Sequence, residues 1–376
     1  MPAEKPRERP TDRHGWNAVI AARRPSRHVD SDNRLVLLGT AGGSNPKSTR
    51  CGYSNAVVVG DTAYLVDCGE GVHTQMWRAG LALHHNHDPG RPLVRGVFVT
   101  HLHADHIMDL VNLLQGSWPS QRLDLYGPTA AGAPISTYDD PVHPLRFPDD
   151  PTPGIRSVVD HLHRAFALNI NARIVAERRS DYLDQLHIHE IGVVGDRPTP
   201  EIAFAVDVDR SMVQFRVPDM EPVVIRPTDE HGVTVSAVLV QHAPVFPAIA
   251  YRFDTPTGSV AFSGDTGPCD NVVRLAQGAD ILVHEIIDLD LLLGRLTRLP
   301  NYAEVRSQLA RSHSAPDDVG AIATRANVKT LVLSHLVPGE QSHTEDEWEA
   351  LVRPHFDGEI VCGVDLDEFA LAPSLG

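Results

Sequence analysis

Short apolar runs set the rhythm of the chain. Leu35-Val36-Leu37-Leu38, Ala56 to Val59, Ala63 to Val66 and Gly96 to Val99 lie between turn formers, as buried strands do. Gly60-Asp61 predicts a hairpin between the second and third of these. Leu123-Asp124-Leu125-Tyr126, closed by Gly127-Pro128, reads as a further strand. The second half repeats the pattern at Val233 to Val240, Ala248 to Phe253, Ser259 to Ser263, Ile281 to Val283, Thr330 to Leu333 and Glu359 to Val364. Thr257-Gly258 predicts a second hairpin. Helical patterns fall between the strands: through Gln75-Met76-Trp77, from Ile107 to Leu114, from Ser157 to Ala176 and from Pro316 to Ala326. The last has Pro in its first turn and Asp317 and Asp318 beside it, which suits a helix N-terminus. Strands alternating with helices predict an α/β fold.

From about Ala130 to Glu230 the pattern loosens, and Pro and Asp become frequent. This stretch, 130–230, reads as an insertion in the main fold that builds a lid, a substrate wall or an oligomer contact. Within it Ala203 to Val208 and Met212 to Val217 alternate like strands. Residues 1–32 are rich in Pro, Arg and Asp and read as a tail or arm, packing through Trp16 on a neighbouring subunit; the main domain spans 33–372. No run reaches 18 apolar residues, so no membrane span is expected. Four scattered Cys and no secretion signal place the chain in the cytoplasm. The net charge of −16, from 33 basic and 49 acidic residues, makes it a poor generic partner for phosphate backbones.

The chemistry gathers at strand ends. Thr100-His101-Leu102-His103-Ala104-Asp105-His106 places three His and an Asp directly after Val97-Phe98-Val99. Imidazoles and a carboxylate suit zinc and similar divalent metals. Further strands end on His242, Asp265, His284 and His335. Ends of neighbouring strands lie along one sheet edge and converge on one place. Other His do not fit this pattern. His84, His85 and His87 occupy a polar loop, and His161 and His163 stand two apart on a helix, facing different ways. Gly39-Thr40-Ala41-Gly42-Gly43 with Lys47 is not a phosphate loop, because Ala41 and Pro46 stand where glycines are needed. It reads as a tight turn beside an active site.

On these residues the chain resembles the metallo-β-lactamase superfamily, and within it the ribonuclease Z-like branch. The matching stretches are Leu38-Gly39-Thr40, Asp67-Cys68-Gly69-Glu70-Gly71, Thr100 to His106, Tyr126-Gly127-Pro128, His242, Ser263 to Thr266, His284-Glu285, His313-Ser314 and Leu333-Ser334-His335. The resemblance implies an αβ/βα sandwich, two facing mixed β-sheets flanked by helices, and two divalent ions per chain: zinc first, with manganese or iron as alternatives. It implies His101, His103 and His242 on one ion, Asp105, His106 and His335 on the other, and Asp265 between them. Asp105 would also serve catalysis, and His313 would be a catalytic residue that binds no metal. Asp67, His284 and Glu285 would hold the ligands in orientation.

Members that process tRNA carry a long arm between the positions of His242 and Asp265. Here only 23 residues separate the two, and the extra length, 136 residues, lies between His106 and His242. With the acidic charge, this predicts no efficient tRNA binding. The expected activity is a dinuclear hydrolase cleaving a small, aromatic, ester-like molecule: a sulfate ester, carboxylic ester, lactone, phosphodiester or activated aryl ether. The alternatives are a ribonuclease Z-like nuclease acting on RNA and a weakly active metal-binding partner subunit. A homodimer or higher homo-oligomer is expected.

Overall fold

In the computed structural model, residues 24–371 are described apart from 46, 84–89, 120, 132–146, 148, 196–198, 210–214, 295–300 and 341. Trp16, His84, His85, His87 and Met212 therefore lie outside the described residues.

The strands of the first half are β1 (Asn33–Gly39), β2 (Ser54–Val59), β3 (Thr62–Val66), β4 (Leu93–Phe98), β5 (Leu123–Pro128), β6 (Leu186–Val193) and β7 (Ile202–Phe204). Those of the second are β8 (Val223–Arg226), β9 (Thr234–Leu239), β10 (Ile249–Asp254), β11 (Ser259–Phe262), β12 (Ile281–Ile287), β13 (Thr330–Val337), β14 (Glu359–Cys362) and β15 (Glu368–Ala370). The helices are α1 (Val72–Arg78), α2 (Ala104–Ile107), α3 (Leu110–Ser117), α4 (Ile155–Ala165), α5 (Ala167–Val175), α6 (Asp270–Leu275), α7 (Leu289–Gly294), α8 (Tyr302–Ser312), α9 (Pro316–Ala326) and α10 (Glu345–Val352).

Two sheets result, ordered β15-β1-β2-β3-β4-β5-β6-β7 and β14-β13-β12-β11-β10-β9-β8. Each begins with antiparallel hairpins and continues in parallel strands. Parallel strands need crossovers, and helices supply them on the outer faces. Both sheets bury their inner faces in a common core, where Phe98 stacks on Tyr126 at 4.6 Å and meets Tyr251 and Phe253 edge-on. A second cluster packs the outer face of the first sheet through residues such as Val97, Leu113, Ile155 and Tyr182. This is the expected αβ/βα sandwich. Among the described residues no helix is long and apolar enough to cross a membrane.

Several elements differ from the sequence expectation. The stretch 130–230 is not wholly outside the main fold, since β6 and β7 extend the first sheet and β8 edges the second. Strand pairing covers only Ile202–Phe204 of the run expected to Val208, and Phe215 and Val217 are buried in coil on either side of an exposed Arg216. The helix expected over Ser157 to Ala176 is two helices, because Phe166 leaves helical geometry (φ −101°, ψ 15°). Trp118, after α3, is buried against Tyr182, with its indole N–H donated to Ser180 O.

Candidate metal centre

Parallel strands aim their C-terminal ends one way, and four of them deliver chemistry to one edge. β4 leads to His101, β11 to Asp265, and β12 and β13 carry Glu285 and His335. The antiparallel β9 delivers His242 to the same edge. His335 is placed by a β-bulge. Glu285 pairs with Ser334 and Ile286 with Leu336, so His335 is the extra residue, in left-handed backbone at φ 46°. That conformation costs about 1–3 kcal/mol and turns the imidazole into the site. Gly42 permits the fit, since a Cβ there would sit 2.6 Å from the His335 ring.

Two donor groups form. His101, His103, His242 and Asp265 converge in one; Asp105, His106 and His335 in the other, with each group's donor atoms within 4.8 Å of one another. Asp265 faces both. Its Oδ2 lies 3.8 Å from His101 Nε2 and 3.9 Å from His242 Nε2, while Oδ1 lies 3.2 Å from His335 Nε2 and 3.3 Å from His106 Nε2. A third convergent set, Asp265, Glu285 and His335, overlaps these.

The donors fit divalent cations. Ring nitrogens approach one another at 3.0 Å (His101 Nε2 to His103 Nδ1), 3.3 Å (His242 Nε2 to His103 Nδ1) and 3.2 Å (His106 Nε2 to His335 Nε2). Lone pairs so directed repel unless a cation or proton lies between them. Burial drives His101 and His103 below the usual imidazole range and His242 down to about 3, leaving neutral donors. Asp265 is held well below the usual carboxylate range, its burial outweighed by His335 and His106. The buried Asp265 Oδ1 has no hydrogen-bond partner in the protein.

The far sides of the His106 and His242 rings are anchored. Asp67 accepts from His106 Nδ1 at 2.8 Å and from the Thr100 N–H and hydroxyl, each at 2.7 Å. His242 Nδ1 donates to Ser312 O at 2.8 Å. Asp105 accepts from Gly43 N at 2.7 Å and from the Ser44 hydroxyl at 3.2 Å. The glycine-rich turn therefore stands beside the site as expected, and it supports a donor carboxylate. Glu285 accepts from Thr266 N at 2.6 Å and grips His313 Nδ1 at 2.9 Å. Burial alone would lower His313, but the Glu285 carboxylate lifts it to about 9. His284 is a correction: alternation along β12 turns it away from Glu285. Its Nδ1 bonds to the Glu285 carbonyl at 2.7 Å, so it orients no donor.

Sequence reasoning missed Ser312, whose contribution is a backbone carbonyl, and Lys47 as part of the site. Lys47 lines the cleft with His103, Asp105, Asp265, His313 and His335, in a cavity of about 470 Å³. Its ammonium donates to Gly43 O, and burial lowers its pKa. His161 is exposed and His163 lies against Tyr182, so neither joins the cluster.

The sandwich and its donor edge define a metal-dependent hydrolase that uses divalent ions, and the known proteins agree. A beta-lactamase superfamily domain matches residues 62–210. The ribonuclease Z of Mycobacterium bovis (strain BCG / Pasteur 1173P2) is 31% identical over 339 residues, covering 90% of this chain and 98% of that protein. That of Mycolicibacterium gilvum (strain PYR-GCK) is 31% identical over 345 residues, covering 91% and 97%. Among solved structures, the short form of human tRNase Z superposes with a TM-score of 0.52 at 20% identity, over 90% of this chain and 99% of that one. Zn(2+)-bound PqqB from Methylobacterium extorquens gives 0.53 at 16% identity, over 89% and 99%. The chain belongs to the ribonuclease Z family of the metallo-β-lactamase superfamily.

This overturns the expected action on a small aromatic ester, because near-full-length relatives are ribonucleases. The prediction of no efficient tRNA binding conflicts with the same finding. Its physical weakness is that net charge is a global sum, whereas phosphate recognition is local. The expected short hairpin between His242 and Asp265 is present as β10 and β11.

Proposed function

We propose that the protein is a dinuclear ribonuclease of the ribonuclease Z type, cleaving a phosphodiester near the 3′ end of a structured RNA, with precursor tRNA as substrate. The identity to ribonuclease Z across 98% of its length carries this reading. The donor geometry supports two ions, zinc first, with His101, His103 and His242 on one, Asp105, His106 and His335 on the other, and Asp265 between them. When bound, such ions generate hydroxide at neutral pH and neutralise phosphate charge.

The chain's own residues do the rest. Asp67 and Ser312 O fix the His106 and His242 rings by Nδ1, so that Nε2 of each would be free to hold an ion. Glu285 holds His313 by Nδ1, leaving Nε2 at the cleft to protonate the departing ribose oxygen as the P–O bond breaks. Lys47 offers a cation to the phosphate. The reading sets the protein in the cytoplasm, and dimerisation is checked by sedimentation of the same preparation.

The test is cleavage of a 5′-labelled, 3′-extended precursor tRNA by zinc- or manganese-loaded protein. The expected outcome is one cut near the end of the acceptor stem, abolished by chelation. Asp265→Ala should lose metal at both positions and lower the rate on the order of a thousandfold or more. No RNA cleavage at low salt by fully loaded protein would defeat the proposal.

A further inference from the structure

One of the donor rings is held differently from its neighbours. Three of the four buried imidazoles in the donor groups have Nδ1 fixed by a hydrogen bond: His106 to Asp67, His242 to Ser312 O, and His101 to Thr100 Oγ1 at 3.1 Å. A metal-bound histidine almost always has such a partner, which sets its tautomer and its aim. His335 does not. Its Nδ1 is buried and has no hydrogen-bond partner in the protein. Its backbone also lies in the left-handed region, at φ 46°, a conformation that persists only where the surroundings enforce it. Packing must therefore aim this ring.

Two groups flank it. Gly42 backs it on the Nδ1 side, where a Cβ would come within 2.6 Å of that nitrogen. The other is Tyr53, which the chemistry above does not use. Tyr53 meets the His335 ring edge-on, with centroids 5.4 Å apart at 82°, and the His106 ring at 5.4 Å, tilted by 52°. Tyr53 and His335 are each only 1% exposed, so neither ring has room to turn. Tyr53 is itself pinned. Its carbonyl accepts from Gly69 N at 3.1 Å, and the hydroxyl of the next residue, Ser54, donates to Asp67 O at 2.8 Å. The loop that carries Asp67 thus fixes Tyr53 as well. The Tyr53 hydroxyl has no hydrogen-bond partner in the protein, so the ring is what this side chain contributes.

We infer that Tyr53 is a positioning residue for the ion held by Asp105, His106 and His335: its ring is the wedge that aims His335 in place of a hydrogen bond, and it braces His106 beside it. The inference rests on the two-ion reading and is independent of which RNA is cut. It makes the two ion positions unequal, because His101 and His242 in the other group are set by hydrogen bonds instead.

The test is cobalt(II) titration of the metal-free protein, read by visible absorption and by competition with a chelator. Wild type should take up two equivalents. Tyr53→Phe keeps the ring and should match it. Tyr53→Leu removes the flat face. It should weaken one equivalent by about 10–100-fold and shift its absorption band, while the other stays as in wild type. Should Tyr53→Leu fail to fold, Tyr53→Met carries the same expectation, since a flexible thioether fills the space without a flat face. A merely structural role would weaken both equivalents together, in step with the urea midpoint. That result, unchanged affinity in Tyr53→Leu, or a Tyr53→Phe as weak as Tyr53→Leu overturns the inference and leaves the two-ion reading standing. Wild type that binds fewer than two equivalents overturns both.

Discussion

Asp67 occupies left-handed backbone at φ 63°, and its carboxylate is fully used by Thr100 and His106. It fixes both a ring and a tautomer, since His106 Nδ1 must carry the proton for Nε2 to remain a donor. Asp67→Asn keeps the volume but brings a donor amide to that bond. It should weaken one metal position by about 10–100-fold, read by competition with a chelator. Unchanged affinity would reduce Asp67 to a loop support. For His313 the expectation is opposite in kind. His313→Ala should keep both ions and lower kcat by on the order of a hundredfold or more. Metal loss in that variant would make His313 a ligand. All seven candidate donors were legible in the sequence because a side chain must supply each one. Ser312 O and Gly43 N were not, because any residue type can offer a carbonyl, and many an N–H, in the same place.

The elements were legible where burial and periodicity agreed, as in α9 and the β10–β11 hairpin. They were hidden where polar residues pair locally. Along β6, His189 bonds Asp124 at 3.0 Å and Glu201 at 2.8 Å, and Arg156 approaches Glu190 at 3.6 Å. That polar content masks a strand signal, although His189 also stacks on Tyr126 at 4.5 Å. The same cluster carries a pH dependence. The Asp124 bond raises His189 above the ordinary 6.5, against the opposing effect of burial and with help from Glu201. A raised folded pKa gives stability that is complete below 6.5 and lost as pH climbs through the folded value. His189→Gln should therefore cost less at pH 9 than at pH 6 in urea unfolding. The difference should be under about 1 kcal/mol, since water screens the half-exposed Glu201. A gap that widens with pH would reverse the sign of this argument.

At the scale of the molecule, Arg50 is one of the polar groups that join the two halves. It donates to Thr40 Oγ1 and Gly363 O, each at 2.6 Å, and to Glu345 at 2.7 Å, tying the loops after β1 and β14 to the start of α10. Arg50→Met should cost about 3–5 kcal/mol in denaturant, and adding Glu345→Leu should recover much of it, because the loss lies in the stranded charge. The sheets are also joined in time. β15 closes the first sheet against β1, and Arg27 N bonds Asp367 across 340 residues. When the ribosome has translated His335, the last of the donors, that closing strand is still unmade. Ions supplied during cell-free translation should therefore raise the active yield more than ions added afterwards. Synthesis lets the nascent chain gather its metal before its scaffold shuts, whereas refolding must solve both problems at once.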